Sequence, residues 1–260
     1  MKHPYIGVTG FTSQSEVVSV LGSVPKDADR LLMVGVLASQ KTLRGQKNKW
    51  PNRYPEVGFI SEIFVRNRWV LNLIHYNTKE PESLTEQLIE MTRLGGQNLE
   101  GFQLNLAWPS RDAILAYHKV CGGKFIVLQI GGKAFEMVNH SPKELAEKVS
   151  LYEHVVDYVL LDPSGGYGVP FDTEKARTYL DALRGYNLDL GLGVAGGLSP
   201  TTLNLIEPLI SDFPDLSIDA EGRLRDSGDN LDLSIASQYV QGACNLFFLS
   251  GAIISPAFYF

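Results

Sequence analysis

Eight short apolar runs recur along this chain, and longer segments with helical spacing separate them. The runs are rich in Val, Ile and Leu and show little alternation with polar residues, as is typical of parallel strands buried on both faces. They are Tyr5–Val8, Leu31–Leu37, Val70–Ile74, Gly101–Leu106, Phe125–Ile130, Tyr158–Leu161, Leu190–Ala195 and Leu216–Ala220. This alternation limits the fold more than any other feature of the sequence.

The segments between the runs carry helix signals. Ser83–Leu94 has apolar residues at helical spacing, and the sequence Ser-Pro-Lys-Glu from Ser141 has the order of a good N-terminal cap. Ser199, followed by proline, predicts a helix over Thr201–Leu209 in the same way. Strands separated by helices indicate βαβ units and a parallel sheet.

Eight such units favour a closed (β/α)8 barrel, and the 260 residues match the usual size of that fold. We find no convincing domain boundary, so we expect residues 1–260 to form a single domain. An open, doubly wound sheet is the alternative.

Composition narrows the function classes. The net charge of −6 argues against a nucleic-acid partner, although Lys41–Arg53 is locally basic. Two cysteines without ligand spacing indicate neither a disulfide framework nor a metal site, and they favour a reducing, cytoplasmic compartment. No cofactor or membrane partner is expected. The apolar C-terminal run, Leu246–Phe260, is too short and interrupted for a membrane span, and we interpret it as a packing tail or a homodimer contact.

The longest irregular stretch, Ala38–Gly58, follows the second strand. A long loop in a compact domain is usually functional or disordered. Its position predicts a lid over the catalytic face, and a mobile solvated loop is the alternative.

In barrels of this kind the working site lies at the C-terminal ends of the strands. Gly196 and Gly197 follow the seventh strand, and Gly222 with Arg223 follows the eighth. Glycines allow a ligand to approach the backbone closely, and these two loops are the usual phosphate site of the fold. The sequence therefore predicts a phosphorylated small-molecule substrate, with tight turns and solvated arginines as the alternative.

Two titratable residues end strands. Asp162 directly follows the sixth run, where a partly apolar mouth raises a carboxyl pKa and suits a general acid. The alternative is an aspartate that caps the following loop. His75 ends the third run and is either an acid, a base or a hydrogen-bonded wall residue. A metal site built from His75, Asp162 and Glu221 is disfavoured, because no close pair has ligand spacing.

Several motifs add a family resemblance. VLLDPSGGYGVPFD in the sixth unit and VAGGLSPTTL in the seventh are the most specific. They resemble the LLLD–GGxG–FDW and AGGLNPENV stretches of phosphoribosylanthranilate isomerase. GFQLNL, YIGVTGFT, NRYPEV and DAEGRLRD are similar to the family's strand-four, strand-one, post-strand-two and strand-eight motifs, in the same order.

The resemblance implies a barrel that isomerises an N-linked phosphoribosyl amine to a 1-amino-1-deoxyribulose phosphate by an Amadori rearrangement. It implies that Asp162 is the general acid and that Arg53 holds the substrate. It implies a phosphate site at the three strand-end glycines, beside Arg223. We add Gln103 of GFQLNL and Gly166 of GGYG as substrate-binding candidates.

The departures from the family concern the base. The family removes the C2 proton with a cysteine, and Thr9 stands at that position; a threonine hydroxyl is far too weak an acid to do this unaided. Glu221 or His75 is the candidate replacement. The alternatives to an isomerase are another phosphate-binding barrel enzyme, such as a lyase or an epimerase, and a non-catalytic ligand-binding paralogue.

Overall fold

A computed structural model describes residues 2–163 and 171–254 of the chain. Eight parallel strands close into a barrel in sequential order, and β1 pairs with β8. The (β/α)8 fold expected from the sequence is confirmed. The strands are β1 (Tyr5–Thr9), β2 (Leu31–Ser39), β3 (Val70–Asn77), β4 (Gly101–Leu104), β5 (Phe125–Ile130), β6 (Tyr158–Leu161), β7 (Gly191–Ala195) and β8 (Ser217–Ala220).

Helices surround the barrel, and α7 begins at the Ser141 cap that the sequence predicts, whereas the Ser13 cap of α1 was not predicted. Ser141 accepts a hydrogen bond from the Glu144 amide, and Ser13 forms a capping box with Glu16. The α-helices among the described residues are α1 (Gln14–Leu21), α2 (Gln40–Leu43), α3 (Ile60–Ile63), α4 (Leu84–Gly95), α5 (Arg111–Val120), α6 (Gly132–Glu136), α7 (Pro142–Ser150), α8 (Thr173–Arg184), α9 (Glu207–Ile210) and α10 (Leu233–Ile254). Short 3₁₀ helices occur at Pro51–Arg53, Val57–Phe59, Pro81–Ser83, Leu203–Leu205 and Gly222–Leu224.

Two apolar layers stabilise this arrangement. The larger layer fills the space between the strands and the helices, and a smaller cluster fills the barrel interior. The interior cluster includes Tyr5, Met33, Leu73, Val127 and Leu160. These apolar side chains therefore fill the barrel interior towards the N-terminal ends of the strands. Polar side chains in the interior lie in the layers near the C-terminal mouth.

The predicted helix over Thr201–Leu209 is wrong. A turn, the 3₁₀ helix Leu203–Leu205 and the short α9 stand in its place. The Thr202 hydroxyl donates to the carbonyl oxygen of Gly197, 3.0 Å away, and accepts from the Ser199 amide. Such side-chain bonds compete with helical ones, and Pro208 lacks an amide hydrogen to continue a helix.

Two other stretches are more regular than the sequence predicted. The stretch 38–58 is not one long loop, because β2 continues to Ser39 and α2 and the 3₁₀ helix Pro51–Arg53 follow. Ser39 caps α2 with its hydroxyl. At the C-terminus, the expected apolar tail is helical as far as Ile254, since α10 continues through it. No helix in the described part of the chain is long and apolar enough to cross a membrane.

Candidate active site

Polar side chains point into the upper barrel from six of the eight strands. Successive residues of a strand face opposite sides of the sheet, and the strand register therefore sets the layers of inward-facing side chains. All six polar side chains are buried. They are Thr9 at the end of β1, His75 in β3, Gln103 in β4, Gln129 in β5, Asp162 directly after β6 and Asp219 in β8.

Hydrogen bonds join these side chains across the barrel. The Nε2 atom of Gln103 donates to Asp219 Oδ2 at 3.0 Å and to Gln129 Oε1 at 3.2 Å. Gln129 Nε2 in turn donates to Asp162 Oδ2 at 3.2 Å. Because β4 and β8 lie on opposite sides of the barrel, the bond between Gln103 and Asp219 crosses its interior. A continuous chain of two amides thus links the two buried carboxyl groups.

Thr9 stands where phosphoribosylanthranilate isomerase, the family that the sequence resembles, has its cysteine. The hydroxyl group of Thr9 is hydrogen-bonded to the carboxylate of Asp219. Thr9 Oγ1 lies 3.0 Å from Asp219 Oδ1 and 3.2 Å from Asp219 Oδ2, and both residues are buried. Burial raises the pKa of Asp219 to about 7. The hydrogen bonds from Gln103 and Thr9 oppose this shift. Asp219 is therefore a base of useful strength near neutral pH.

His75 is a neutral member of this network. Burial lowers its pKa, although the negative charges of Glu221 and Asp162 oppose the shift, and so the ring is neutral at neutral pH. Its Nδ1 atom lies 3.4 Å from Nε2 of Gln103. A neutral imidazole accepts a proton rather than donating one, and the lowered pKa makes His75 a weaker base than an ordinary histidine.

Arg53 joins the segment after β2 to the loop after β8. Its Nη1 atom donates to Glu221 Oε1 at 2.8 Å, and its Nη2 atom donates to Asp229 Oδ1 at 2.6 Å. Its Nε atom also lies 2.9 Å from both carboxylate oxygens of Asp229. The two hydrogen bonds from one guanidinium to Asp229 have the fork geometry that arginine prefers. This arrangement brings Arg53 and Glu221, both predicted site residues, to one rim of the mouth.

A cavity of about 490 Å³ opens at this rim. The segment after β2 contributes Lys41, Lys49, Trp50 and Tyr54, and the strand ends contribute His75 and Glu221. The segment that the sequence predicted as a lid thus forms one wall of the cavity. Its ionic attachment through Arg53 argues against a freely solvated loop.

The glycine loops after β7 and β8 differ in backbone conformation. Gly196 and Gly197 have φ angles of 110° and 65°, a region that favours glycine. Gly222 begins a 3₁₀ helix, and a Cβ atom added to it would meet nothing within 4 Å, with exposed Arg223 next to it. These features fit both the phosphate site and the alternative of tight turns with a solvated arginine. The remaining predicted residue, Gly166, lies outside the described residues.

Two further residues near the strand ends can be placed. Trp108, after β4, donates from Nε1 to the Ala134 carbonyl oxygen at 3.0 Å and packs against Tyr152. Lys133 is exposed on α6, and none of the eight strands contains a lysine. Among the described residues, no group of three or more His, Cys, Asp and Glu side chains could hold a metal ion.

Sequence reasoning missed Asp219, because it considered only the residues at the strand ends. One signal was available. Ser217, Asp219 and Glu221 alternate with apolar residues in a run that should be buried on both faces. An acidic residue inside such a run has to face either a partner or a cavity.

Comparisons with known proteins support the fold. No protein-family model matches the chain, and no curated protein matches it in sequence. A phosphoribosyl anthranilate isomerase solved with reduced 1-(o-carboxyphenylamino)-1-deoxyribulose 5-phosphate is similar at a TM-score of 0.60 and 16% identity, over 93% of this chain and 99% of that one. Monomers of the dimeric phosphoribosylanthranilate isomerase from Thermotoga maritima are similar at a TM-score of 0.58 and 16% identity, over 92% of this chain and 98% of that one.

The YdjI aldolase from Escherichia coli K12 is also similar, with a TM-score of 0.51 and 10% identity over 96% of this chain and 91% of that one. Identities this low show a shared fold alone. The chain has a fold like that of phosphoribosylanthranilate isomerase, and its activity has to be argued from its own site.

Proposed function

We propose that this protein isomerises a phosphorylated N-glycoside of an amine to the corresponding 1-amino-1-deoxyketose phosphate. The observation that carries the proposal is Asp162, a buried carboxyl group at the end of β6, held by Gln129 within a ring of polar groups at the barrel mouth. It occupies the position that the sequence motif gives to the general acid. Phosphoribosylanthranilate, the substrate that the family resemblance implies, is the first compound to test.

The chemistry requires an acid at the ring oxygen and a base at C2. In the proposed mechanism Asp162 protonates the ring oxygen, the C1–O bond breaks, and an iminium ion forms at C1. Loss of the C2 proton then gives an enolamine, which becomes the ketone. Acid and base groups placed in this way typically contribute about 10²–10⁴-fold each.

Other residues of the mouth would bind the substrate. Gln103 Oε1 is buried without a hydrogen-bond partner among the described residues, so it would accept from a sugar hydroxyl that reaches this fully buried layer. We assign the phosphate to the turns at Gly196, Gly197 and Gly222, beside Arg223. The positive φ angles of the first two glycines favour close backbone approach of an anion.

A turnover assay tests the proposal. Purified protein should convert phosphoribosylanthranilate, and loss of the substrate's fluorescence reports the reaction. Asp162→Asn should lower kcat by about 10²–10⁴-fold while ligand binding is kept, because the side chain keeps its size and loses its acidic proton. Absence of turnover in the natural protein, or full activity in Asp162→Asn, would overturn the proposed isomerase activity.

A further inference from the structure

We propose that Asp219 is the proton acceptor of this barrel and that it works through the hydroxyl group of Thr9. The inference rests on the isomerase activity proposed above and supplies the base that the sequence does not show. It places a two-residue base at the end of β1, where the related family uses one cysteine.

The contacts of the pair support this role. The Thr9 hydroxyl lies within hydrogen-bond distance of both oxygens of Asp219. As the donor, it directs its proton at the carboxylate and keeps lone pairs of its own. Thr9 is fully buried, so the substrate has to open a path to this hydroxyl before the oxygen can take another proton. The Gln103 amide holds the second oxygen of Asp219, so the carboxylate is fixed from two sides.

The barrel makes room for this pair at two glycines. A Cβ atom on Gly7 would lie 2.6 Å from Asp219 Oδ1, and one on Gly35 would lie 2.5 Å from Thr9 Oγ1. Both distances are too short for a real contact, so a side chain at either position would displace the pair. The interior is otherwise filled with large side chains, and these two gaps hold the hydroxyl and the carboxylate in place.

The proton transfers balance over one turnover. As the C2–H bond breaks, its electron pair forms the C1=C2 bond and neutralises the iminium nitrogen. Thr9 Oγ takes the C2 proton while its own proton passes to Asp219. The same path then returns a proton to C1 of the enolamine, and the hydroxyl proton on O2 goes to the carboxylate of Asp162. Both acids regain their starting states, and no oxidant or co-reactant is needed.

The surroundings of Asp219 set the pH range in which it accepts a proton. Glu221 after β8 and Asp162 after β6 add negative charge, while β1 and α10 contribute the buried phenols of Tyr5 and Tyr239. Burial raises the pKa of both phenols well above the usual value, so they are neutral at neutral pH. Since the base has to be ionised, the rising limb of kcat/KM with pH should lie at about 7.

The test is a set of substitutions assayed for turnover of phosphoribosylanthranilate. Thr9→Val keeps the shape and removes the hydroxyl group, Thr9→Ser keeps the hydroxyl group, and Asp219→Asn removes the base. We expect losses in kcat/KM of about 10²–10⁴-fold for Thr9→Val and Asp219→Asn, and a small change for Thr9→Ser. Because the two residues act as one unit, the double variant Thr9→Val/Asp219→Asn should have a kcat/KM no lower than that of either single variant.

A rescue separates this role from a structural one. A thiol is acidic enough to act alone, so Thr9→Cys in the Asp219→Asn background should regain activity. In this variant the pH at which the rate increases should move from about 7 towards the ordinary pKa of a cysteine, about 8.5. Circular dichroism and thermal melts confirm that each variant is folded.

The outcomes distinguish the two proposals. An active natural protein with near-normal Thr9→Val and Asp219→Asn variants overturns the role of the pair and leaves the isomerase proposal intact. Folded but inactive single variants that Thr9→Cys does not rescue also overturn it. A natural protein without turnover overturns the isomerase proposal and, with it, this inference.

Discussion

At the scale of single residues, Asp219 should make the stability of the fold depend on pH. Its pKa is about 7 when folded and close to the ordinary value of 3.8 when unfolded. The folded state therefore holds a proton that the unfolded state has lost between these values. The resulting stabilisation is complete at low pH and is lost as the pH rises through about 7.

Denaturant melts of the natural protein and Asp219→Asn between pH 4 and pH 8 should show this dependence. As the pH rises, Asp219→Asn should gain stability relative to the natural protein by up to about 1.4 kcal/mol per pH unit. Asp181→Asn, on the exposed face of α8, is the control and should change little. Parallel pH curves for the natural protein and Asp219→Asn would contradict the raised pKa.

Gly35 should tolerate substitution poorly, although nothing about its sequence context marks it. A Cβ atom there would lie 2.5 Å from Thr9 Oγ1 and 3.0 Å from Thr9 Cα. We expect Gly35→Ala to lower the free energy of unfolding by about 1–3 kcal/mol, as overpacking of a core does. Gly58→Ala is the control, because nothing lies within 4 Å of its added Cβ. Equal melting temperatures for the two variants would show that the interior has spare room.

At the scale of elements, the segment after β2 should depend on the loop after β8. Arg53 makes its bonds to Asp229 and Glu221, which are far along the chain. Asp229→Asn weakens this attachment, so trypsin should cut faster at Lys47 and Lys49. The substitution leaves every lysine and arginine in place, and the set of possible trypsin sites is therefore unchanged. Asp212→Asn breaks a comparable surface pair with Arg177 and should leave these cuts unchanged. Equal cleavage rates in the two variants would mean that packing alone holds the segment.

The elements also show what local sequence can predict. All eight strands were found from their apolar runs, since burial on both faces leaves a clear signal. The helix expected after β7 failed, because Thr202 and Ser199 bond to nearby backbone and to each other instead. The regular structure in the stretch 38–58 was missed although Ser39 caps α2 locally. The attachment of this stretch through Arg53 depends on residues at the opposite end of the chain, which local sequence does not show.

At the scale of the molecule, closing the barrel creates contacts that no local pattern encodes. Thr9 and Asp219 lie 210 residues apart and meet only because β8 pairs with β1. The sequence identified the mouth of the barrel and most of its candidate residues, because strand ends can be located from strand boundaries. The layer beneath the mouth depends on register across all eight strands, and so Asp219 could not be found in this way.

A phosphate site at the loops after β7 and β8, as proposed above, should couple ligand binding to the stability of the whole barrel. A ligand that binds only the folded state stabilises it by mass action, by about 2.7 kcal/mol at a concentration of 100 times Kd. Phosphate should therefore raise the melting temperature above that in chloride of equal ionic strength, and Gly197→Ala should reduce this increase.

Gly123→Ala is the matched control for that experiment. Gly123 has a similar φ of 77°, against 65° at Gly197, but lies between α5 and β5, at the opposite end of the barrel. Both variants should lose a similar amount of stability from backbone strain, so only the phosphate-dependent increase should differ between them. General salt effects act on both equally. An equal increase in both variants would place the anion elsewhere, and no increase in the natural protein would rule out a phosphate site at these loops.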